Sequence, residues 1–234
     1  MSVNTTGDDL KIWYIKHYDF FSGLDSKIKP YVKERTSMCT YQQGETIYIG
    51  SDESIYLLKE GNVKISRLSS KGEEMIQDLL HPGEIFGTLP LIENNQETHT
   101  EFARAATNTT VCIIYRKDFE QLIRMHPKLN QKLTRWYGIR MRRFEQRMND
   151  LIFKDVKKRL AGFLIHYAVD FGKEKNGEYE VKALLTHEEI GMLVGAARQT
   201  VTTMLNEMRE ENLMEFDRKR WTFKNLNALK VLAE

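Results

Sequence analysis

Residues 184–208 read LLTHEEIGMLVGAARQTVTTMLNEM and carry the strongest structural signal in the chain. Thr186 predicts a helix N-cap, and Glu189 three residues later completes a capping box. Gly195 predicts the end of this helix after about two turns, because glycine adopts positive φ without strain. A second helix follows at once, and two short helices joined by a glycine turn are typical of a helix-turn-helix.

The second predicted helix has one apolar face and one polar face. The apolar positions recur at helical spacing and are Val201, Met204, Leu205 and Met208. The polar positions are Gln199, Thr202, Thr203 and Asn206, with Arg198 near the N-terminal edge. Amide, hydroxyl and guanidinium groups on a small helix suit the base edges of the DNA major groove. A surface helical hairpin with a solvated polar face is the alternative interpretation.

Residues 215–223, EFDRKRWTF, predict two short aromatic strands around a basic turn. This hairpin would form a wing beside the two helices. The three cations at its tip, Arg218, Lys219 and Arg220, would lie against DNA phosphates. Residues 184–223 together therefore favour a DNA-binding winged helix over a solvated hairpin.

The charge distribution of the chain also favours a DNA-binding C-terminal half. The 234 residues are enough for one large or two modest domains, and the formal net charge is only +2. Residues 126–234, however, contain 21 Lys and Arg against 15 Asp and Glu, whereas residues 1–125 contain 14 against 18. This asymmetry is expected if only the C-terminal half contacts DNA.

Cysteine usage and apolar runs predict a cytoplasmic protein that does not enter a membrane. Cys39 and Cys112 are far apart and belong to no metal or disulfide motif, which fits a reducing compartment. The polar N-terminus has no apolar signal core. No stretch approaches the roughly 20 apolar residues of a membrane span.

Residues 37–116 predict an all-β domain. Short apolar and β-branched clusters alternate with turn signals, which is typical of a barrel or sandwich. The strand candidates are 37–41, 46–49, 55–59, 62–68, 74–80, 85–86, 101–105 and 110–116. About eight strands suggest a double-sheet jelly roll, also called a double-stranded β-helix. Residues 10–35 predict two short helices around Gly23 that would cover one side of this domain.

A long helix is predicted to begin at Pro127, since proline is tolerated at the first helical position. Its apolar side chains recur at spacings of three and four residues, which from position 137 onward form a heptad seam. The seam residues are Leu133, Tyr137, Met141, Phe144, Met148 and Leu151. The same helix of a second subunit would cover this seam in a parallel two-fold homodimer. Packing on the chain's own barrel is the alternative.

The remaining segments complete an α+β fold class with a jelly-roll domain, a long dimerisation helix and a winged helix-turn-helix. Further helices are predicted at 119–124, 156–171 and 225–232, a charged linker at 172–177 and a short strand at 179–181. The predicted division is a sensor domain at 1–125, a dimerisation helix at 126–152 and a DNA-binding domain at 153–234.

Several of these segments resemble the CRP/FNR family of transcription regulators. The runs GETIY (44–48), IYLLKEGNVKI (55–65) and LHPGEIFG (80–87) resemble the family's cyclic-nucleotide-binding-type sensor. The run LTHEEIG (185–191), followed by RQTV (198–201), is similar to its helix-turn-helix. The resemblance implies a homodimer that binds a palindromic double-stranded DNA operator, with an effector pocket in each barrel. RNA polymerase is a candidate further partner.

The resemblance also assigns residues to the DNA interface. It implies that Arg198 reads a guanine, consistent with bidentate Arg chemistry in the major groove. With the polar face described above, the expected base-reading set is Arg198, Gln199, Thr202 and Thr203. The expected backbone contacts are Thr186, His187, Thr200, Arg218, Lys219 and Arg220. The family often has Glu at position 199, Arg at 203 and a hydroxyl residue at Ala197, so we expect a different operator sequence.

The predicted effector pocket departs from that of the cyclic-AMP-binding members. The resemblance places the pocket at Gly87, Thr88, His99, Thr100 and Phe144. Thr88 stands where those members have a ribose-binding Glu, and His99-Thr100 stand where they have a phosphate-binding Arg-Ser pair. A neutral His is a poor substitute for a guanidinium fork. We therefore expect an effector other than cyclic AMP.

Other cofactors and functions are disfavoured by the residues available. Two distant cysteines cannot supply the four thiolates of an iron–sulfur cluster, and no His spacing supports haem. A cupin-type enzyme would need clustered His and carboxylate ligands for a metal, which the scattered His residues do not provide. Two alternatives stay open: a regulator controlled only by its abundance, and a sensor domain that regulates a protein partner.

Overall fold

The computed structural model describes residues 29–50, 53–69, 72–89 and 100–234. These residues divide into two units, the first ending at Arg140 and the second beginning at Met141. The predicted helix before Gly23 lies outside the described residues, as does His99. In the part of the chain that is described, no helix is both long and apolar enough to cross a bilayer.

The first unit contains helix α1, eight strands, helix α2 and the first half of the long helix α3. The helices are α1 (Lys29–Arg35), α2 (Arg116–Met125) and α3 (Pro127–Phe153). The strands are β1 (Thr36–Tyr41), β2 (Thr46–Ile49), β3 (Ser54–Glu60), β4 (Val63–Leu68), β5 (Glu74–Leu80), β6 (Ile85–Gly87), β7 (Thr100–Ala105) and β8 (Thr109–Tyr115). Each strand lies within one or two residues of its predicted range.

The eight strands form two antiparallel four-stranded sheets, which confirms the double-sheet prediction. Their orders are β1-β8-β3-β6 and β2-β7-β4-β5. An apolar core lies between the sheets, and in it the rings of Tyr48, Tyr56 and Phe86 stack with centroids 5.1–6.2 Å apart. Stacked rings bury large apolar areas, so this cluster holds the two sheets together.

A second core lies on the outer face of the first sheet. Ile55, Leu57 and Ile114 point outward from their strands and pack against helical residues such as Phe119 and Trp136. The two cysteines sit on neighbouring strands but on opposite faces, since Cys39 pairs with Val111 and Cys112 pairs with Met38. Both are free cysteines.

The second unit contains the rest of α3, four further helices and a small sheet. Its elements are α4 (Val156–Phe171), β9 (Lys173–Lys175), β10 (Glu178–Lys182), α5 (His187–Val194), α6 (Arg198–Glu210), β11 (Met214–Phe216), β12 (Arg220–Phe223) and α7 (Leu226–Ala233). The antiparallel sheet has the order β11-β12-β10-β9. The wing predicted at 215–223 is therefore extended by two more strands.

The prediction of a charged linker at 172–177 is wrong, because β9 pairs with β10 as a hairpin. Asn176 and Gly177 form its turn with positive φ values of 54° and 81°. An Asn-Gly pair with both φ values positive is the preferred two-residue hairpin turn. This dipeptide was the sequence signal for the hairpin, and the charged residues around it obscured it.

Candidate nucleic-acid interface

A capping box begins α5, and two glycines shape the turn between α5 and α6. Thr186 Oγ1 accepts from the Glu189 N–H at 3.2 Å, and the Glu189 carboxylate accepts from the Thr186 N–H at 2.7 Å. Gly195 ends α5 in the left-handed conformation with φ 67°. A Cβ at Gly191 would lie 2.5 Å from the Ala196 carbonyl oxygen, so the turn packs directly on the backbone of α5. This geometry confirms the predicted helix-turn-helix.

Helix α6 separates an inner from an outer face as predicted. Val201, Leu205 and Met208 are fully buried on the inner side. Among the predicted base-reading residues, Arg198, Gln199 and Thr203 are exposed, whereas Thr202 is half-buried. The structure therefore brings three of the four side chains to the outer surface of the first two turns of α6.

Thr202 differs from the outward position that we expected, because its hydroxyl belongs to an internal hydrogen-bond chain. Thr202 Oγ1 lies 2.9 Å from the Arg198 carbonyl oxygen, to which it donates. It also lies 2.9 Å from His187 Nδ1. A hydroxyl has one proton to donate. Because Thr202 donates this proton to the Arg198 carbonyl oxygen, His187 Nδ1 must be protonated and donate to the Thr202 hydroxyl. This chain joins the start of α5 to the first turn of α6.

His187, one of the expected backbone contacts, packs against the wing. Its ring packs edge-on against Phe216 and Trp221, with centroids 5.9 and 6.4 Å apart. Partial burial is the main cause that lowers the pKa of His187 below its usual value of 6.5, and the positive charge of Arg198 lowers it further. The imidazole is therefore neutral at pH 7 and connects α5, α6 and the wing.

The tip of the wing is a tight turn shaped by Asp217. Its carboxylate accepts from the backbone N–H groups of Lys219 and Arg220 at 2.6 and 2.8 Å. These two hydrogen bonds lower the pKa of Asp217, which therefore remains ionised in the turn. Arg218 and Lys219 are exposed, and Arg220 Nη1 lies 3.3 Å from the Glu180 carboxylate. One of the three predicted phosphate-binding cations is thus paired within the chain.

A cleft of about 420 Å³ lies between the start of α5 and the wing. Its lining includes Thr186 and His187 from one side, Arg218 from the other, and Trp221. The structure thus brings together the backbone-contact candidates of both elements. Thr200, the remaining candidate, is half-buried in the first turn of α6.

Tyr167, on helix α4, supports the chain segment that leads into this interface, and no role was predicted for it from the sequence. Its hydroxyl donates to the Lys182 carbonyl oxygen at 2.7 Å and accepts from the Leu184 N–H at 2.8 Å. Burial raises the pKa of Tyr167 far above its usual value, so the phenol stays protonated. The side chain therefore satisfies two backbone hydrogen-bonding groups in the segment that leads from β10 into α5. No local motif identifies such a role, because the partners lie 15 and 17 residues away.

The predicted seam divides into a buried part and an exposed part. Leu133 is only 2% exposed and lies in the core of the first unit, and Tyr137 packs against the same core. The assignment of these two residues to the dimer seam is therefore wrong, because they pack within the chain's own first unit. The other four side chains belong to the second unit and are 42–60% exposed: Met141, Phe144, Met148 and Leu151.

Two of the predicted effector residues, Gly87 and Thr88, are neighbours in the first unit. Gly87 has a φ of 95°, and a Cβ there would lie 2.5 Å from the Ser54 carbonyl oxygen and 2.8 Å from the Tyr56 ring. Thr88 follows and donates its N–H to the same Ser54 oxygen at 3.0 Å. Thr100 begins β7, whereas Phe144 belongs to the second unit. Gly87 and Thr88 thus lie beside the stacked rings of the barrel.

Comparisons with known proteins agree with both units. Residues 38–126 match the cyclic nucleotide-binding domain family, and residues 158–232 match the Crp-like helix-turn-helix domain family. The chain is 30% identical over 211 residues to the global nitrogen regulator of Synechocystis sp., covering 89% of this chain and 92% of that protein. It is 27% identical to the CRP-like cAMP-activated global transcriptional regulator of Mycobacterium tuberculosis, covering 85% and 89% of the two chains.

The fold is shared with solved structures. FixK2 from Bradyrhizobium japonicum aligns with a TM-score of 0.71 at 23% identity, covering 85% of this chain and 98% of that one. The identity to FixK2 supports the fold alone, whereas the Synechocystis relative is aligned over nearly its whole length. Since both family models match this chain, and the Synechocystis relative is 30% identical over 89% of the chain, the chain belongs to the CRP/FNR family of transcription regulators.

Proposed function

We propose that this chain is a homodimeric transcription regulator that binds a palindromic DNA operator through α6. The observation that carries the proposal is the outer face of α6, where Arg198, Gln199 and Thr203 are exposed while the opposite face is buried. In the major groove, an Arg side chain pairs bidentately with guanine, and amide and hydroxyl groups reach other base edges. Arg198, Gln199 and Thr203 are the proposed base readers.

Backbone contacts would come from the elements on both sides of α6. Ala197 is the N-cap of α6 and offers no side-chain acceptor to the first N–H groups of the helix. Unsatisfied N–H groups at a helix N-terminus bind phosphate oxygens well. The Thr186 hydroxyl and the exposed cations Arg218 and Lys219 would contact neighbouring phosphates across the cleft.

The dimer is proposed from the exposed half of the seam. Met141, Phe144, Met148 and Leu151 recur at spacings of three, four and three residues, which is the a/d pattern of a coiled coil. A second copy of α3 would cover these side chains and place two copies of α6 on one duplex. This proposal includes the division of the chain into a sensor at 1–125, a dimerisation helix at 126–152 and a DNA-binding domain at 153–234. RNA polymerase is a candidate partner. The cytoplasm is the expected location.

For the barrel we propose that any effector is not cyclic AMP. Thr88 carries no charge to hold ribose hydroxyls as a carboxylate would, and no Arg stands at positions 99–100. A second candidate is a regulator without an effector, controlled by its abundance. It is favoured by the stacked rings of Tyr48, Tyr56 and Phe86, which pack in the apolar core between the sheets. Mass spectrometry of protein purified without added ligand, with calorimetry against cyclic AMP, separates these candidates.

The DNA proposal is tested by unbiased selection from a random duplex library, followed by binding at several salt concentrations. We expect a palindromic consensus and a steep fall in affinity with salt, because each neutralised phosphate releases counterions. A monomer without sequence preference would overturn the proposal. Such a result would instead favour a sensor that regulates a protein partner, whose binding need not depend on salt in this way.

A further inference from the structure

Arg159, in the first turn of α4, donates hydrogen bonds to three backbone carbonyl groups. Its Nε donates to the Val194 oxygen at 2.7 Å and its Nη2 to the Gly195 oxygen at 3.1 Å. Its Nη1 donates to the Lys154 oxygen at 2.6 Å. One guanidinium group therefore joins two segments, Lys154 and Val194–Gly195, that lie 40 to 41 residues apart in the sequence.

Both segments are the C-terminal ends of helices. Val194 and Gly195 end α5 at the helix-turn-helix, and Lys154 directly follows the last residue of α3. Carbonyl groups at a helix C-terminus lack partners within the helix and carry partial negative charge. A planar cation with donors in a fixed fork satisfies several of them at once, which the single ammonium group of a Lys cannot do in the same geometry.

The end of α3 also packs directly on the same turn. Leu151 Cδ2 lies 2.8 Å from the position that a Cβ on Gly195 would occupy. The turn between α5 and α6 is therefore held by a side chain of α3 on one side and by Arg159 on the other. Since Arg198 begins α6 only three residues after Gly195, the position of this turn determines the position of the proposed base reader.

We propose that Arg159 is a positioning residue that fixes the helix-turn-helix turn to the end of α3 and so orients Arg198 toward DNA. This inference rests on the proposed function, because orientation matters only if α6 reads bases. Arg159 itself makes no base contact in this proposal. Its loss should therefore reduce discrimination between duplexes more than it reduces general attraction to DNA.

The test compares Arg159→Lys, which keeps the charge and removes the fork, with Lys158→Ala as the matched control. Lys158 is the neighbouring cation on α4, and its side chain makes no hydrogen bond or ion pair with other described residues. Each full-length variant is measured on the selected operator and on a scrambled duplex, and by hydrogen exchange of residues 194–198 without DNA. Circular dichroism and urea unfolding identify conditions in which each variant is folded.

For Arg159→Lys we expect a loss of at least tenfold in operator affinity, a change of less than threefold on the scrambled duplex, and faster exchange in the turn. Lys158→Ala should change affinity for the two duplexes equally and leave exchange in the turn unchanged. Arg159→Gln, which retains part of the donor set, replaces Arg159→Lys if the latter does not fold, with the same expected signs.

The positioning role is overturned if a folded Arg159 variant keeps the wild-type ratio of operator to scrambled affinity. It is equally overturned if exchange in the turn does not change, or if Lys158→Ala reproduces the loss. A wild-type protein that does not distinguish the two duplexes would instead overturn the proposed function. Hydrogen exchange would still report whether Arg159 holds the turn, so the two failures are distinguishable.

Discussion

His166 on α4 should make the stability of the C-terminal unit depend on pH. Burial is the main cause that lowers its pKa from 6.5 to about 4; the Asp150 carboxylate opposes this effect, and Arg143 and Lys154 reinforce it. In the unfolded chain the imidazole is solvated and should titrate near its usual value. The folded state therefore holds His166 neutral over a pH range in which the unfolded state binds a proton.

The sign and size of the effect follow from the difference between the two pKa values. The contribution of His166 to the free energy of unfolding is fully present above pH 6.5. It falls as the pH is lowered toward 4, because in this range only the unfolded chain gains a proton at this residue. Each pH unit is worth about 1.4 kcal/mol, so His166 should cost the unit about 2.5 kcal/mol between pH 7.5 and pH 4.5. Below about pH 4 the folded state is protonated as well, and the loss from this residue levels off.

The assay is urea unfolding of wild type and His166→Phe, which keeps a ring of similar size and removes the titration. Both proteins carry Trp13→Phe and Trp136→Phe, so that Trp221, buried in the C-terminal unit, is the single tryptophan reporter. We expect wild type to lose about 2.5 kcal/mol more than the variant between pH 7.5 and pH 4.5. His187, whose pKa is lowered as well, is present in both proteins and cancels. Parallel stability curves would refute the assignment.

Three substitutions test the interface, the turn and the dimer. Arg198→Ala should cost about 1–3 kcal/mol at one base pair per half-site and relax specificity there; an equal loss on random duplexes would contradict base reading. Gly191→Ala should destabilise the C-terminal unit by about 1–3 kcal/mol in urea unfolding, since its Cβ would lie 2.5 Å from a backbone oxygen. Its control, Gly162→Ala, meets no described atom within 4 Å and should be neutral or stabilising. Phe144→Glu should dissociate the dimer in sedimentation, because like charges would be buried opposite each other. The same change at Val231, 72% exposed on α7, should not do so, and an unchanged Phe144→Glu dimer would remove the seam from the proposal.

The elements whose signals are local could be predicted from the sequence. The capping box at Thr186 and Glu189 and the left-handed Gly195 involve residues within a few positions of one another, so their geometry follows from the chain's own chemistry. Short apolar and β-branched clusters separated by turn signals likewise predicted eight strands and their order in the chain. The same local motifs carried the resemblance to the CRP/FNR family, which the comparisons confirmed.

The contacts of individual side chains could not be predicted from the sequence, because they depend on how distant segments pack. Leu133 and Met148 belong to the same apolar stripe, yet only the first is buried in the barrel's outer core, because burial depends on what the fold places opposite. The Thr202 hydroxyl turns inward because a His 15 residues away meets it. The contacts of Arg159 with the turn can be recognised only in the folded structure, because the carbonyl groups it binds lie more than 30 residues away in the sequence. Contacts between distant segments have no local period or spacing, so no pattern in the sequence predicts them.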